Sequence, residues 1–188
     1  MKRLACLFAL VACVAQQPAC AAEWRMDPAN SRLEFAASFE KTPAPGVFKE
    51  FDTQLNFDPE KPAGGRLDVT IRVASADMTS ADINKAIAGA EWFDFARHQQ
   101  AEFHSTDIRQ INAQAGNYLA RGVLTLKGVQ QTVEVPFKWS EAPDGATMQG
   151  EFIVKRTPFG IGTGEWTATD VIGPEVAVKF RVRLRKAA

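Results

Sequence analysis

The chain has 188 residues, 46% of them hydrophobic, with 22 basic and 22 acidic side chains, three cysteines and two histidines. That length suits one domain with a sizeable core, and the balanced charge gives no general basic excess for nucleic acid. Cys6, Cys13 and Cys20 all lie near the start, which leaves the remainder without a disulfide, a thiolate nucleophile or a cysteine metal site.

Lys2 and Arg3 form a basic n-region, Leu4 to Ala15 an apolar stretch, and Ala19-Cys20-Ala21 a small-residue cleavage site. The expectation is a cleavable signal peptide over residues 1–21, export to the periplasm, and a single domain over 22–188. The apolar stretch is too short to span a bilayer. Leu10-Val11-Ala12-Cys13 also has the form of a lipoprotein signal. The apolar run before Cys13 would then be very short, so the cleavable leader is preferred.

Strand grammar follows. Leu33, Phe35, Ala37 and Phe39 alternate with polar neighbours, and Pro43, Pro45 and Gly46 break the run. A second strand carries Phe51, Thr53, Leu55 and Phe57. A third sets Leu67, Val69, Ile71 and Val73 against Arg66, Asp68, Thr70 and Arg72. The period then changes: Thr79 with Asp82 resembles a weak capping box, and Ile83 and Ile87 sit one helical turn apart. Residues 79–97 are expected to form one or two short helices laid over an end or side of the sheet, with Trp92, Phe93 and Phe95 packing them down.

Strands resume at 101–109 and 117–126, turn at Lys127-Gly128, and continue over Thr132–Trp139 and Thr147–Lys155. A Gly- and Thr-rich loop over 156–174 leads to a final strand. There Val176, Val178, Phe180, Val182 and Leu184 alternate with Lys179, Arg181, Arg183 and Arg185. The basic face reads as a solvated exterior in preference to an anionic-lipid site. The fold class is all-β: eight antiparallel strands with a short helical insert after the third. Strands of this number and length favour closure into a barrel, which removes exposed edges.

With these elements placed, several segments resemble the YceI family of exported lipid-binding proteins. They are Trp24-Arg25-Met26-Asp27-Pro28 with Ser31, Gly46-Val47-Phe48-Lys49-Glu50-Phe51, Phe57-Asp58, Trp92-Phe93-Asp94, Gly122 to Val129, and Arg156 with Phe159-Gly160-Ile161. The resemblance implies a lipocalin-like barrel whose apolar cavity holds one long isoprenoid or related chain, with no cofactor and no catalysis. The chain departs from the family at two places. Asn30 stands where many members carry His, and Ile83-Asn84-Lys85-Ala86-Ile87 where many carry an Arg-Asp-x-His-Leu run. Groups near a ligand head thus become neutral or apolar together, which points to an uncharged head such as a quinone or amide.

An alternating apolar face is required of any barrel, so composition alone leaves a filled core and a ligand cavity both open. The resemblance favours the cavity. The candidate lining is Phe35, Leu55, Val69, Ile71, Leu124, Val135, Phe152 and Phe180, with Trp92 and Phe93 as plug and portal. Arg156 is expected either to pair with a carboxylate and fix its turn or to reach a ligand oxygen. Asp94 is expected to cap a helix or turn. Glu102 and His104 share a strand face and could share a metal, but no third ligand is evident and surface roles are preferred. No Gly-x-Ser-x-Gly, phosphate-loop or His-Glu-x-x-His motif occurs.

The reading is an exported protein, not an enzyme, that holds an isoprenoid, quinone or other lipid-like chain for carriage or sequestration. The alternative is a filled barrel acting as a stress accessory to a membrane redox partner, and an enzyme acting on a lipid ranks third. A homodimer is a further expectation.

Overall fold

A computed structural model describes residues 21–111 and 116–187; residues 1–20 of the expected leader, with all three cysteines, lie outside the described residues. Among the described residues eleven strands form: β1 (Ala22–Met26), β2 (Arg32–Phe39), β3 (Thr42–Phe48), β4 (Phe51–Phe57), β5 (Arg66–Arg72), β6 (Ala76–Asp77), β7 (Gln100–Gln110), β8 (Asn117–Leu126), β9 (Val129–Ala142), β10 (Gly145–Lys155) and β11 (Glu175–Lys186). One α-helix, α1 (Ala81–Ile87), sits between β6 and β7. Its cap is Ser80, whose hydroxyl accepts from Ile83 N at 3.4 Å, and not Thr79, which adopts φ 58° one residue earlier.

Eight strands close into an antiparallel barrel in the order β1-β4-β5-β7-β8-β9-β10-β11, with β11 returning to β1. The ring's membership differs from the expectation. Residues 22–26, not recognised as a strand, close it, while β2 belongs to a β2-β3-β6 flap that branches from β11. The long β11 makes this branching feasible. It pairs with β2 over Ala177–Arg181 and with β1 over Leu184–Lys186, and with β10 over Glu175–Leu184. β1 and β2 are therefore one strand line, kinked by the turn at Pro28–Asn30. Asp27 N donates to Arg183 O (2.8 Å) and Arg183 N donates to Ser31 Oγ (2.9 Å), which satisfies the backbone across the kink. Pro43 and Pro45 were read as breakers but lie within β3. That stretch pairs only with β2 and leaves its other side unpaired, the edge position at which a strand tolerates proline.

The core is not uniform along the barrel axis. At one end Trp24, Phe57, Tyr118, Phe137 and Trp139 interlock, with ring centroids 4.9 to 5.9 Å apart and mostly edge-to-face. Leu55, Leu67, Ile108, Met148, Val182 and Leu184 are fully buried around them. Their polar handles are paired: Trp24 Nε1 donates to Phe57 O (3.3 Å) and the Tyr118 hydroxyl to Pro59 O (3.1 Å). This end is filled; the other is hollow. The basic face of β11 points outward, with Arg183 paired to Asp144 and Arg185 to Asp27, both at 2.6 Å.

Candidate functional site

The hollow end encloses a cavity of about 500 Å³. Its wall follows from period-2 alternation: the inward residues of each strand run from the filled end into the cavity. On β5 the series is Leu67, Val69, Ile71, and only Ile71 reaches the cavity. On β11 Leu184 and Val182 pack the filled end while Val178 and Val176 line the void. β10 passes from Met148 to Phe152 and Val154, and β8 from Tyr118 and Ala120 to Leu124 and Leu126.

Two segments roof the cavity. One is α1 with the turns after it, which presents Ile83, Ala86 and Ile87 at helical spacing together with Trp92 and Phe93. The other is the loop over 156–174, which contributes Ile161, Trp166 and Ile172. The segments are tied to each other. Gly162 N and Thr163 N both donate to Glu91 O (2.8 and 3.0 Å), and the Trp92 and Trp166 rings lie 5.7 Å apart. Lys127 Nζ donates to Ala90 O (2.7 Å) and Gly160 O (2.6 Å). Burial holds the Lys127 ammonium below the usual lysine pKa, although Asp94 and Glu91 oppose the shift. Asp94 is buried at φ 51°, and its carbonyl accepts from Arg97 N and His98 N in the turn that carries Phe93 and Phe95. Phe39 and Ile83, 46% and 43% exposed, mark the mouth.

Arg156 is 2% exposed and meets no carboxylate. All five of its N–H groups donate to backbone carbonyls. Nε bonds Gly173 O, Nη1 bonds Ile161 O and Gly162 O, and Nη2 bonds Trp166 O and Ile172 O, at 2.8 to 3.0 Å. Burial lowers its pKa from the ordinary arginine value. The guanidinium touches the cavity but has no donor left for a ligand oxygen. It organises the loop.

Among the residues expected to line a cavity, Phe35, Ile71, Trp92, Phe93, Leu124, Phe152 and Arg156 do so. Leu55, Val69, Val135 and Phe180 do not. They point inward as expected but lie too close to the filled end, where Phe180 covers Gly150 on the adjacent strand and packs against Phe152 at 6.4 Å. Asn30 is exposed at the β1–β2 kink, bonded to Asp27 (3.0 Å), and does not line the cavity. Asn84 faces away to pin the helix start, accepting from Met78 N (2.8 Å) and donating to Asp77 (2.9 Å). His104 lies against Asp68 (2.7 Å) and Glu102 (3.7 Å), and His98 belongs to a different segment, near Gly128.

The cavity wall also holds residues that the expected lining leaves out, among them Phe48, Met78, Ala101, Val154, Val176 and Val178 and the loop's Ile161, Trp166 and Ile172. Val154, Val176 and Val178 share a face with residues that were named, so their signal was the same alternation carried further toward the open end. Phe48 gave no strand signal, because the prolines before it broke the pattern.

A profile of the YceI-like domain matches residues 24–184. A UPF0312 protein of Photorhabdus laumondii is 34% identical over 88 residues, 47% of this chain and 44% of that protein. The match thus spans less than half the length of that curated relative. The crystal structure of BcnA from Burkholderia cenocepacia superposes with a TM-score of 0.80 at 37% identity, covering 84% of this chain and 98% of that one. A polyisoprenoid binding domain from Saccharophagus degradans shares the fold at 16% identity and a TM-score of 0.70, covering 89% of this chain and 99% of that one.

Proposed function

The chain belongs to the YceI-like family, and on that premise we propose that it is an exported binding protein that takes up one long apolar chain, isoprenoid, quinone or similar, for carriage or sequestration. The observation that carries this reading is the 500 Å³ cavity, whose wall is almost entirely hydrocarbon and aromatic. Its volume lies within the range of small-molecule sites. Each methylene moved from water into such a wall contributes about 0.8 kcal/mol. Ser38, Asp82 and Arg156 are the polar exceptions, and Arg156 is already saturated. No hydrogen bond joins Ser38 to Asp82 among the described residues, and the reading is binding without turnover.

An uncharged head group fits the mouth. Ile83 and Ala86 line the cavity at positions where the family resemblance implies cationic or titratable side chains, so a pyrophosphate would find no paired cationic donors from them. Trp92 Nε1, buried and without a partner, is a donor of the kind a quinone or amide carbonyl accepts. The test is native mass spectrometry of the protein purified from its own periplasm, followed by solvent extraction of the bound species. One stoichiometric lipid-like molecule is the expected result. An apo mass that also takes up no added long-chain prenyl alcohol overturns the reading.

A further inference from the structure

A second void, of about 240 Å³, lies in the barrel wall where the ladder between two strand lines is interrupted. Pairing stops at Arg25 opposite Gln54 on one side and at Leu33 opposite Phe48 on the other. Between these points one line turns through Pro28–Asn30 and the other through Lys49 and Glu50, and no ladder pair joins them. Met26, Val47, Phe48 and Phe51 supply the apolar wall of this gap. Phe48 also lines the main cavity, where its ring packs against Phe35 at 4.9 Å and Phe93 at 6.4 Å. Phe48 thus belongs to the lining of both hollows.

We propose that the gap is a second chamber of the same binding site, and that Phe48 is the partition setting how long an apolar chain the protein accepts. The inference rests on the reading of the barrel as an apolar-chain site. The charged groups beside the gap, Arg32 and Lys49, are largely exposed to solvent and stand in surface ion pairs. Ser31 Oγ donates to Asp27 O (2.7 Å) and accepts from Arg183 N (2.9 Å), Arg32 pairs with Glu34 (2.8 Å), and Lys49 with Asp77 (2.6 Å). On this proposal Met26, Phe48 and Phe51 take the hydrocarbon end of the ligand. The Phe48 backbone is held by its pairs with Leu33 and Ala76, and its ring can change rotamer without moving the strand.

The experiment is titration of the protein with farnesol, geranylgeraniol and geranylfarnesol, for the wild type and for Phe48→Ala, Phe48→Leu and Met26→Trp. Phe48→Ala is expected to strengthen geranylfarnesol binding relative to farnesol by about tenfold, the effect of burying roughly two further methylenes. Phe48→Leu moves the ratio in the same direction with less risk to folding. Met26→Trp fills the gap and weakens geranylfarnesol while leaving farnesol unchanged. If the wild type binds the alcohols but folded Phe48 variants keep its length preference, this inference falls alone. If the wild type takes up none of the three, the apolar-chain reading falls with it.

Discussion

The ring of Phe35 lies over Gly46, its directly paired neighbour on β3, so closely that a β-carbon on Gly46 would overlap the ring's tip. The glycine is required by space and not by its backbone angles. Gly46→Ala must push Phe35 into the cavity or against Phe48, whose ring is 4.9 Å away. Overpacking of this kind costs about 1–3 kcal/mol. The expected result is a lowered denaturation midpoint together with weakened apolar-chain binding, and Phe35→Leu added to Gly46→Ala restores much of the stability. A single variant as stable as wild type would show that the ring has somewhere else to go.

Arg156 predicts a local effect. Lysine offers three donors for the five carbonyls that the guanidinium satisfies, and an ammonium cannot reproduce the planar fork. Arg156→Lys loses at least two charge-assisted bonds, about 3 kcal/mol. That loss falls on the loop over 156–174. Hydrogen exchange should accelerate at Ile161, Gly162 and Thr167 while the strands at the filled end keep their protection. Uniform acceleration would mean that Arg156 supports the whole barrel.

The pattern of sequence hits and misses has a physical origin. Alternation fixes which face of a strand points inward, and every expected lining strand residue did point inward. It carries no information on depth along the barrel axis, so Leu55 and Val135 were placed in a void that begins above them. Depth is set by register. Register depends on β1 and on the kinks at Pro28–Asn30 and Lys49–Glu50, whose irregular backbone has no period to read. The roof was more legible, because Ile83 and Ile87 keep their helical spacing in α1 and both reach the cavity. Arg156 was singled out correctly as a loop residue, but five carbonyl partners spread over Ile161 to Gly173 leave no sequence signature.

The four tryptophans are divided between the two ends of the barrel. Trp24 and Trp139 contact each other at the filled end, at 5.1 Å, while Trp92 and Trp166 face the cavity. An apolar ligand should therefore alter the emission of the second pair alone. Trp92→Phe combined with Trp166→Phe is expected to abolish the fluorescence response to farnesol, and Trp24→Phe to leave it intact. A response that survives the double change would place the ligand elsewhere.

Asp77 links the roof to pH. Its carboxylate pairs with Lys49 at 2.6 Å and accepts from Asn84 Nδ2 and Thr79 N, each at 2.9 Å, which together hold its pKa well below the usual carboxylate range. Asp27, Asp68 and Asp144 are lowered as well. A depressed carboxyl stabilises the fold fully above its unfolded pKa, about 3.9, and the contribution is lost as pH falls below that toward the folded value. Denaturation midpoints should thus be flat between neutral pH and about pH 5 and then decline. Asp77→Asn should lower stability at neutral pH and flatten the acid decline, with α1 loosening before the barrel. An unchanged acid slope in Asp77→Asn would assign the decline to the other three carboxylates.

Head-group preference turns on Ile83, which is exposed at the mouth and part of the cavity wall. Ile83→Arg places a guanidinium at the rim, on a helix whose start is held independently by Ser80, Asp77 and Asn84. The substitution removes an exposed isoleucine, so stability should change by less than about 0.5 kcal/mol. A charge-assisted bond to phosphate contributes about 1.5–3 kcal/mol, which corresponds to a gain of roughly 10- to 100-fold for farnesyl pyrophosphate over farnesol. The wild type should prefer the alcohol. Isothermal titration of both ligands against both proteins, at two salt concentrations, checks the direction and the electrostatic origin together, because the gained affinity must fall as salt screens it. A wild-type protein that already prefers the pyrophosphate would overturn the neutral-head reading and require a cationic donor other than Arg156.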